Sequence, residues 1–297
     1  MIRHKVAALL AALASASLLW GPAAHAQSGA DLSISPKRIV FGQSSRAATL
    51  YVINRGAEAA TYGLALSDQV MTPDGQIRPA AELATAPEAS QALARLKSAK
   101  ELVSFSPRRI TLQPGESQTV RLRALRPAEL AQGEYRTHLV VTAVPPEDVG
   151  FTAEQAAASD EGQLSVKIVT LFSIGVPVIV RQGPEQVSAK IENLQFQAAS
   201  ASEKGAAKAA GMLSLDLVRE GEASLYGDVE VRKLKGGKPG DIVGGVRGLG
   251  VYSEIDRRKV TVRLASLPAA GEKLQVVFRD DDARPGTVLA TADFVVP

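Results

Sequence analysis

The chain has 297 residues, with 34 lysines and arginines against 31 aspartates and glutamates, three histidines and no cysteine. The lack of cysteine excludes disulfides, thiolate nucleophiles and cysteine-based metal sites. The nearly balanced charge gives no sign of the basic surface that nucleic-acid binding requires, and the length is enough for about two domains.

The start of the chain, residues 1–26, has the pattern of a secretory signal peptide. Arg3 and Lys5 give a basic start, residues 6–20 are apolar or small, and Ala24-His25-Ala26 matches the pattern that a signal peptidase recognises. We expect cleavage after this tripeptide, which leaves an exported mature chain. A membrane anchor is the alternative, but the apolar run is shorter than the ~20 residues that span a bilayer. We therefore expect no membrane insertion.

The next part of the chain predicts β-structure followed by an irregular stretch. Residues 34–41, 49–53 and 61–67 are extended apolar segments between turn residues, which predicts the first three strands. Residues 79–100 are alanine-rich and carry leucines at helical spacing. We expect a loop with one short helix there.

Residues 102–141 predict a strand, a turn, a strand, a corner and a further strand. Pro114-Gly115 suits a tight turn, because proline presets one φ angle and glycine accepts a positive one. Residues 118–122 then alternate, with the even-numbered side chains on one face. Gly133 marks a corner, and Tyr135 follows where the last strand starts. A tyrosine at that position is typical of immunoglobulin-like sandwiches, in which its hydroxyl bonds to the upstream backbone.

Several sequence blocks in this half of the chain keep a fixed order and spacing. They are Ser35-Pro36-Lys37-Arg38-Ile39-Val40-Phe41, Leu50-x-Val52-x-Asn54-x-Gly56, Ser106-Pro107-Arg108-Arg109, Leu112-x-Pro114-Gly115-x-x-Gln118-x-Val120-Arg121 and Gly133-Glu134-Tyr135-Arg136-x-His138-Leu139. Together they resemble the first domain of the PapD-like periplasmic chaperones of pilus assembly. The resemblance is strongest over residues 31–180.

The second half of the chain predicts another sandwich. Gly183-Pro184 marks a domain boundary, and short extended segments follow between turn residues. The predicted strands are 187–191, 212–218, 228–233, 251–255, 259–264, 274–279 and 288–296. The sequence thus predicts an all-β protein with two immunoglobulin-like β-sandwich domains in tandem, residues 27–182 and 183–297, after a cleaved signal peptide.

Two short patterns resemble ligand-binding loops but are better explained as connections between strands. Residues 244–250 are glycine-rich, yet they lack the G-x-G-x-x-G order and a following helix, so we expect a flexible strand connection. Asp280-Asp281-Asp282 lacks the spacing and the distal glutamate of an EF-hand. We expect a solvated hairpin turn there, and we predict no metal site.

The histidine count argues against an enzyme. His4 and His25 lie in the predicted signal peptide, which leaves His138 in the middle of a predicted strand, where we expect a structural role. A Ser-His-Asp triad or a zinc centre needs partners that this composition does not supply, and no pair of carboxylates stands out. We therefore expect no catalytic site, no metal and no cofactor.

The family resemblance implies a client, a pilus subunit whose immunoglobulin-like fold lacks its last strand. Such a subunit exposes a hydrophobic groove and unpaired backbone groups, and the chaperone fills the gap with a strand of its own. The corresponding strand here lies within residues 162–170. We predict Leu164, Val166 and Ile168 as the donor face. The alternative is that these side chains pack in the chain's own core.

The resemblance also implies a basic anchor for the C-terminal carboxylate of the subunit. Arg38 occupies the position of the family's cleft arginine, and a guanidinium can hold a carboxylate through two parallel hydrogen bonds. An exposed surface arginine is the alternative. Thr170 stands where the family has a second anchor, a lysine. Either a bulge shifts the register of this strand, so that Lys167 takes that place, or this chain binds its client differently.

The function that the resemblance implies is that of a periplasmic chaperone. It binds and stabilises pilus or fimbrial subunits and delivers them to an outer-membrane usher by donor-strand complementation, without ATP. The alternative is a non-catalytic exported immunoglobulin-like protein, structural or adhesive, without a pilin client. The fold by itself does not separate these two functions.

Overall fold

A computed structural model describes residues 31–144, 172–198 and 211–297. Over these ranges the chain is all-β, with two β-sandwich domains and a few short helices, which confirms the predicted fold class. No helix in these ranges is long and apolar enough to cross a membrane. Several predicted features lie outside the described residues, namely the signal peptide, the donor residues Leu164, Val166 and Ile168, and the candidate anchor Lys167.

The N-terminal domain packs two sheets face to face. Its strands are β1 Leu32–Ser35, β2 Ile39–Phe41, β3 Ala47–Asn54, β4 Ala60–Ser67, β5 Gln69–Met71, β6 Ile77–Pro79, β7 Val103–Ser106, β8 Arg109–Leu112, β9 Ser117–Ala124, β10 Gly133–Val144 and β11 Ser173–Gln182. One sheet has the order β1-β3-β9-β7, and the other has the order β2-β11-β10-β4-β8. The hairpin of β5 and β6 is separate from both.

The predicted strand at 34–41 is two strands in the structure. β1 pairs with β3 in one sheet, and β2 runs parallel to β11 in the other sheet. Ile34 and Phe41 therefore enter the same core from opposite sides. The change of sheet also places Arg38 immediately before β2, at the edge of the five-stranded sheet.

The alternation predicted for residues 118–122 is correct for most of β9. Val120 and Leu122 are fully buried, whereas Gln118, on the same predicted face, is exposed near the start of the strand. The predicted turn precedes β9, and Gly115 adopts a φ of +75° there. The turn carries the chain from β8 in one sheet to β9 in the other, and the N–H of Gly115 donates to the carbonyl oxygen of Asn54 at the end of β3 at 2.8 Å.

The corner before β10 has the predicted tyrosine interaction. Tyr135 donates its hydroxyl hydrogen to the carbonyl oxygen of Ala131 at 3.0 Å. This bond ties the start of the strand to the connection that precedes it. Further along β10, Leu139 and Val141 are fully buried in the N-terminal core.

The C-terminal domain is a seven-stranded sheet that folds over its own core. Its strands are β12 Ala189–Ala198, β13 Gly211–Arg219, β14 Leu225–Lys235, β15 Lys238–Val251, β16 Arg257–Leu264, β17 Lys273–Asp280 and β18 Val288–Val295, in the order β12-β13-β16-β15-β14-β17-β18. β15 and β16 meet at Gly244 and Leu264. Buried side chains from all seven strands form one cluster, which includes Leu215, Val262 and Phe278.

The glycine-rich residues 244–250 form part of β15, so the prediction of a flexible connection is wrong. A Cβ atom on Gly244 would lie 2.7 Å from the carbonyl oxygen of Arg263, and one on Gly245 would lie 3.1 Å from the carbonyl oxygen of Val229. Glycine is needed here because neighbouring backbone approaches too closely for a side chain. The predicted strand at 251–255 is also displaced, since β15 ends at Val251 and residues 252–256 form a turn before β16.

Between β4 and β7 the chain leaves the sandwich, and we call residues 68–99 the excursion. Besides β5 and β6 it contains helices α1 Ala80–Leu83 and α2 Ser90–Arg95 and a 3-10 turn at Pro87–Ala89, and a further 3-10 turn at Lys100–Leu102 leads into β7. Val70, Leu83 and Ala89 form a small buried cluster of its own. For residues 79–100, the expectation of a loop with one short helix therefore missed the second helix, the 3-10 turns and the contribution of this segment to a buried cluster.

Candidate functional site

The two sandwiches meet along the outer face of the five-stranded N-terminal sheet, and we call this contact the domain junction. Alternation along β10 directs Leu139 into the N-terminal core and turns Glu134, Arg136 and His138 to the opposite face. The C-terminal domain covers that face, so all three polar side chains are buried. From β11, Ile179 joins the core of the C-terminal domain.

Arg38 lies in the domain junction. Its side chain is 8% exposed, its Nη1 lies 3.0 Å from Oδ2 of Asp282, and its guanidinium carbon lies 4.5 Å from the ring centre of Tyr226. The alternative of an exposed surface arginine is therefore wrong, although the neighbouring Lys37 is exposed. Among the described residues, no acceptor makes a well-directed hydrogen bond with the Arg38 nitrogens. The contact with Asp282 thus leaves the hydrogen-bonding capacity of this guanidinium largely unused.

Asp282 is not part of a solvated turn. The predicted turn between β17 and β18 exists, but the Asp282 side chain is 13% exposed and pairs with both Arg38 and Arg181. Asp280 is also buried, and it accepts a hydrogen bond from the backbone N–H of Arg284. Two aspartates of this acidic run therefore organise the turn and the junction, which corrects the sequence interpretation.

Arg181, at the end of β11, is surrounded by carboxylates from both domains. Its Nε lies 3.0 Å from Glu134, its Nη1 lies 3.1 Å from Glu185, and its Nη2 pairs with Asp282. Glu134 also accepts hydrogen bonds from the backbone N–H and the hydroxyl of Ser224. Burial by itself lowers the pKa of Arg181, but the charges of Glu134 and Asp282 outweigh it and raise the pKa above its usual value. This guanidinium is permanently charged and links the domains.

A second buried network is centred on Arg136. Its Nη2 donates to the carboxylate of Glu254 and, at 2.9 Å, to the carbonyl oxygen of Gln69. Its guanidinium carbon lies 3.9 Å from the ring centre of Tyr252, and its Nη1 lies 3.3 Å from Nε2 of His138. Arg136 therefore bonds to the excursion and to the C-terminal domain at the same time.

Burial also controls the protonation of the groups around Arg136. It lowers the pKa of His138 to about 3, and the positive charge of Arg136 adds to this effect. Burial raises the pKa of Glu254, against the attraction of Arg136. His138 is therefore neutral at pH 7, and its place in a packed junction fits the structural role expected for it.

Within the part of the chain that the structure describes, the strand that leads into the predicted donor segment has an open edge. β11 pairs with β10 along residues 173–182, but β2 covers its other side at residues 178–180. Among the described residues, no strand pairs with that side of residues 173–176. At the start of this stretch Phe172 is half exposed, and the hydroxyls of Ser173 and Thr142 lie 2.9 Å apart. An added strand could bond to the backbone along this edge.

The sequence analysis identified Arg38 as a candidate site residue, but it did not predict the buried polar residues of the domain junction. Glu134, Arg136 and His138 alternate with buried side chains, and such alternation normally marks a strand face in contact with water. One feature of the sequence could have indicated the junction. Glu134, Arg136 and His138 place three ionisable side chains on one face of β10, which suggests that this face contacts other polar groups of the protein. Among the described residues, no cluster of three histidines or carboxylates could hold a metal ion.

Comparison with known proteins gives matches at the level of structure. No protein-family model matches the chain, and no curated protein matches its sequence. The E. coli chaperone DraB is 14% identical with a TM-score of 0.41, over 90% of this chain and 97% of its own. A structure of the Salmonella enterica SafA pilin in complex with the SafB chaperone is 13% identical with a TM-score of 0.39, over 90% and 96%.

A third match is the pre-assembly complex of the CsuC chaperone with the tip subunit CsuE from Acinetobacter baumannii. It is 12% identical with a TM-score of 0.41, over 89% of this chain and 98% of the matched chain. All three structures contain chaperones, the class of protein that the sequence blocks resemble. All three TM-scores lie below 0.5.

Proposed function

We propose that this protein is a periplasmic chaperone that binds pilus or fimbrial subunits by lending them a strand. The observation that carries the proposal is the position of Arg38 beside the open edge of β11. Ile39 pairs with Val178, so Arg38 lies level with Pro177, where the pairing of β2 ends and the open edge begins. A buried cation beside a strand edge that has no partner among the described residues suits a ligand that is a strand with a terminal carboxylate.

The lent strand would be the continuation of β11 towards residues 162–170. A subunit strand that adds to the open edge gains backbone hydrogen bonds, which do not depend on sequence. Leu164, Val166 and Ile168 would then fill the groove that the subunit exposes. This removes apolar surface from water and covers an edge that otherwise promotes aggregation.

The anchor in this proposal is Arg38, with Lys167 as a second cation. Asp282 already lies beside Arg38, but Arg181 shares the charge of Asp282. Arg181 also pairs with Glu134 and Glu185, so the capacity for an incoming carboxylate lies in Arg38 itself, whose nitrogens have no well-directed acceptor among the described residues. A guanidinium fits that ligand through two parallel hydrogen bonds. The anchor would fix the register of the subunit strand along the edge.

Release would need no ATP. Strand exchange with another subunit replaces one set of backbone hydrogen bonds by another. The subunit can therefore leave the chaperone without an external energy source. An outer-membrane usher would receive the complex and allow this exchange. The predicted signal peptide supports a periplasmic location.

The test is co-expression of the mature chain with a candidate pilus subunit, followed by size-exclusion chromatography. We expect a one-to-one complex with the wild-type chain and at least a tenfold lower yield with Arg38→Ala. Arg109→Ala is the matched control, because Arg109 is an exposed arginine of the same domain. If the yield of the complex falls equally in both variants, or falls in neither, the assignment of Arg38 as the anchor is wrong.

The donor strand needs a separate pair of variants. Val166→Asp with Ile168→Asp should abolish the complex, because it puts two charges on the proposed donor face. Ser165→Asp with Val169→Asp places the same charges on the opposite face of an extended strand and should preserve it. If no subunit forms a complex with the wild-type chain, the structural or adhesive alternative is favoured.

A further inference from the structure

The excursion is bonded to the N-terminal domain at its end. The backbone N–H of Arg136 donates to the carbonyl of Lys97 at 2.8 Å, and the N–H of Ala99 donates to the carbonyl of Arg136 at 3.1 Å. At its beginning, the carbonyl of Gln69 accepts a hydrogen bond from the Arg136 side chain at 2.9 Å. Both ends are therefore attached to the same residue of β10.

The middle of the excursion rests on the C-terminal domain. Met71 is 3% exposed, its side chain belongs to the C-terminal core, and its N–H donates to Oε1 of Glu254 at 2.9 Å. The N–H of Lys259 donates to the carbonyl of Pro73 at 2.8 Å. From helix α2, Ala92 packs against the same core. This contact therefore includes apolar packing and backbone hydrogen bonds.

The rim of this contact is also closely fitted. Nη1 of Arg95 lies 2.8 Å from Oδ1 of Asp256. A Cβ atom on Gly75 would lie 2.1 Å from Nε of Arg258, so the turn between β5 and β6 lies against that side chain. The hairpin and α2 thus contact the turn before β16 and the beginning of β16 itself.

We propose that the excursion is a clamp that fixes the angle between the two domains in the free protein. Domains joined by one connection move relative to each other unless their interface is large and well packed. Here a second connection, rooted in β10 and packed into the C-terminal core, opposes that motion. The junction that contains Arg38 is held in one geometry before any ligand binds. This inference does not depend on the proposed function.

The test measures the distribution of distances between the domains in the full mature chain. The chain has no cysteine, so Ser104→Cys and Thr291→Cys, at exposed positions in the two domains, provide unique sites for spin labels. Pulsed electron paramagnetic resonance should give a narrow distribution for this labelled chain. With Met71→Ala and Ala92→Glu added, we expect the distribution to become at least twofold wider.

The matched control is Ala94→Glu, which adds the same charge to an exposed position of the same helix. It should leave the width of the distribution unchanged. If the double variant folds and its distribution matches the control, the clamp is excluded. If the double variant does not fold, the same measurement is made on the single variant Ala92→Glu, which should fold because that position is only partly buried. An unchanged width in this single variant would then overturn the proposal.

Discussion

Arg38 and Asp282 form an ion pair across the two domains, with 3.0 Å between Nη1 and Oδ2 and little exposure of either side chain. Asp282 also pairs with Arg181. One carboxylate of the C-terminal domain therefore contacts both Arg38, which precedes β2, and Arg181 of β11. Arg181 has Glu134 and Glu185 as further partners. The carboxylate of Asp282 therefore both positions Arg38, the candidate anchor, and contributes to the contact between the two domains.

Asp282→Asn should destabilise the protein, because it leaves the buried guanidinium of Arg38 without its carboxylate partner and removes one of the three carboxylates around Arg181. Breaking a buried ion pair by removing one partner costs about 3–5 kcal/mol, and we expect a loss of about 3 kcal/mol in the free energy of unfolding. Urea denaturation followed by circular dichroism measures it. Asp281→Asn is the control, since that aspartate is exposed, and a similar loss in both variants would contradict the assignment.

The stability of the protein should fall as the pH decreases below about 6.5. His138 has a folded-state pKa of about 3, so the unfolded chain takes up a proton in this range while the folded chain does not. Its contribution is fully present above pH 6.5 and is lost as the pH falls towards 3, with a slope of up to about 1.4 kcal/mol per pH unit. Thermal unfolding measured between pH 7 and pH 5 shows this dependence.

His138→Gln separates this contribution from that of its neighbours. The raised pKa of Glu254 acts in the opposite direction, because protonation of that carboxyl favours the folded state. Arg136 is the charged side chain next to His138, and Tyr252, whose pKa is raised by burial, remains neutral throughout this range. The variant should therefore have a weaker loss of stability on acidification than the wild type. A slope that the substitution does not change would rule out His138 as the source.

The pair of Arg136 and Glu254 should show strong coupling. Arg136→Met leaves Glu254 buried without a counter-charge, which costs about 3–5 kcal/mol. The double variant Arg136→Met with Glu254→Gln should recover part of that loss, because the remaining amide carries no charge. A double-mutant cycle from urea denaturation gives the coupling energy. Additive effects of the two substitutions would mean that they act independently.

Gly244→Ala should strain β15. The new Cβ would lie 2.7 Å from the carbonyl oxygen of Arg263, and overpacking of this kind costs about 1–3 kcal/mol. Gly250→Ala in the same strand is the control, because its new Cβ would lie 3.6 Å from an aromatic carbon of Tyr252, which is an ordinary contact. The free energies of unfolding of the two variants should differ by at least about 1 kcal/mol.

The sequence predicted the parts of the fold that depend on local patterns. The turn at Gly115, the corner at Tyr135 and the alternation of β9 follow from residue preferences that act over a few positions. The division of residues 34–41 between two sheets was missed, because both strands have the same apolar pattern. The strand at 244–250 was missed because glycine is normally a sign of a loop. Here the glycines are required by the close approach of backbone from neighbouring strands, which are distant in sequence.

The candidate site was predictable where it relied on a motif. Arg38 belongs to a block with recognisable spacing, and the structure places it in a junction. Its partner Asp282 lies in a run of aspartates that is typical of an exposed turn. The buried role of Asp282 arises from the approach of a second domain, and nothing in the local sequence encodes that approach.

β10 contributes side chains to the N-terminal core from one face and to the domain junction from the other. A strand shared in this way couples the unfolding of the two domains, because unfolding of either domain removes the packing on one face of β10. The protein should consequently lose its structure in one cooperative step, with no long-lived form in which one half is ordered and the other is available to proteases.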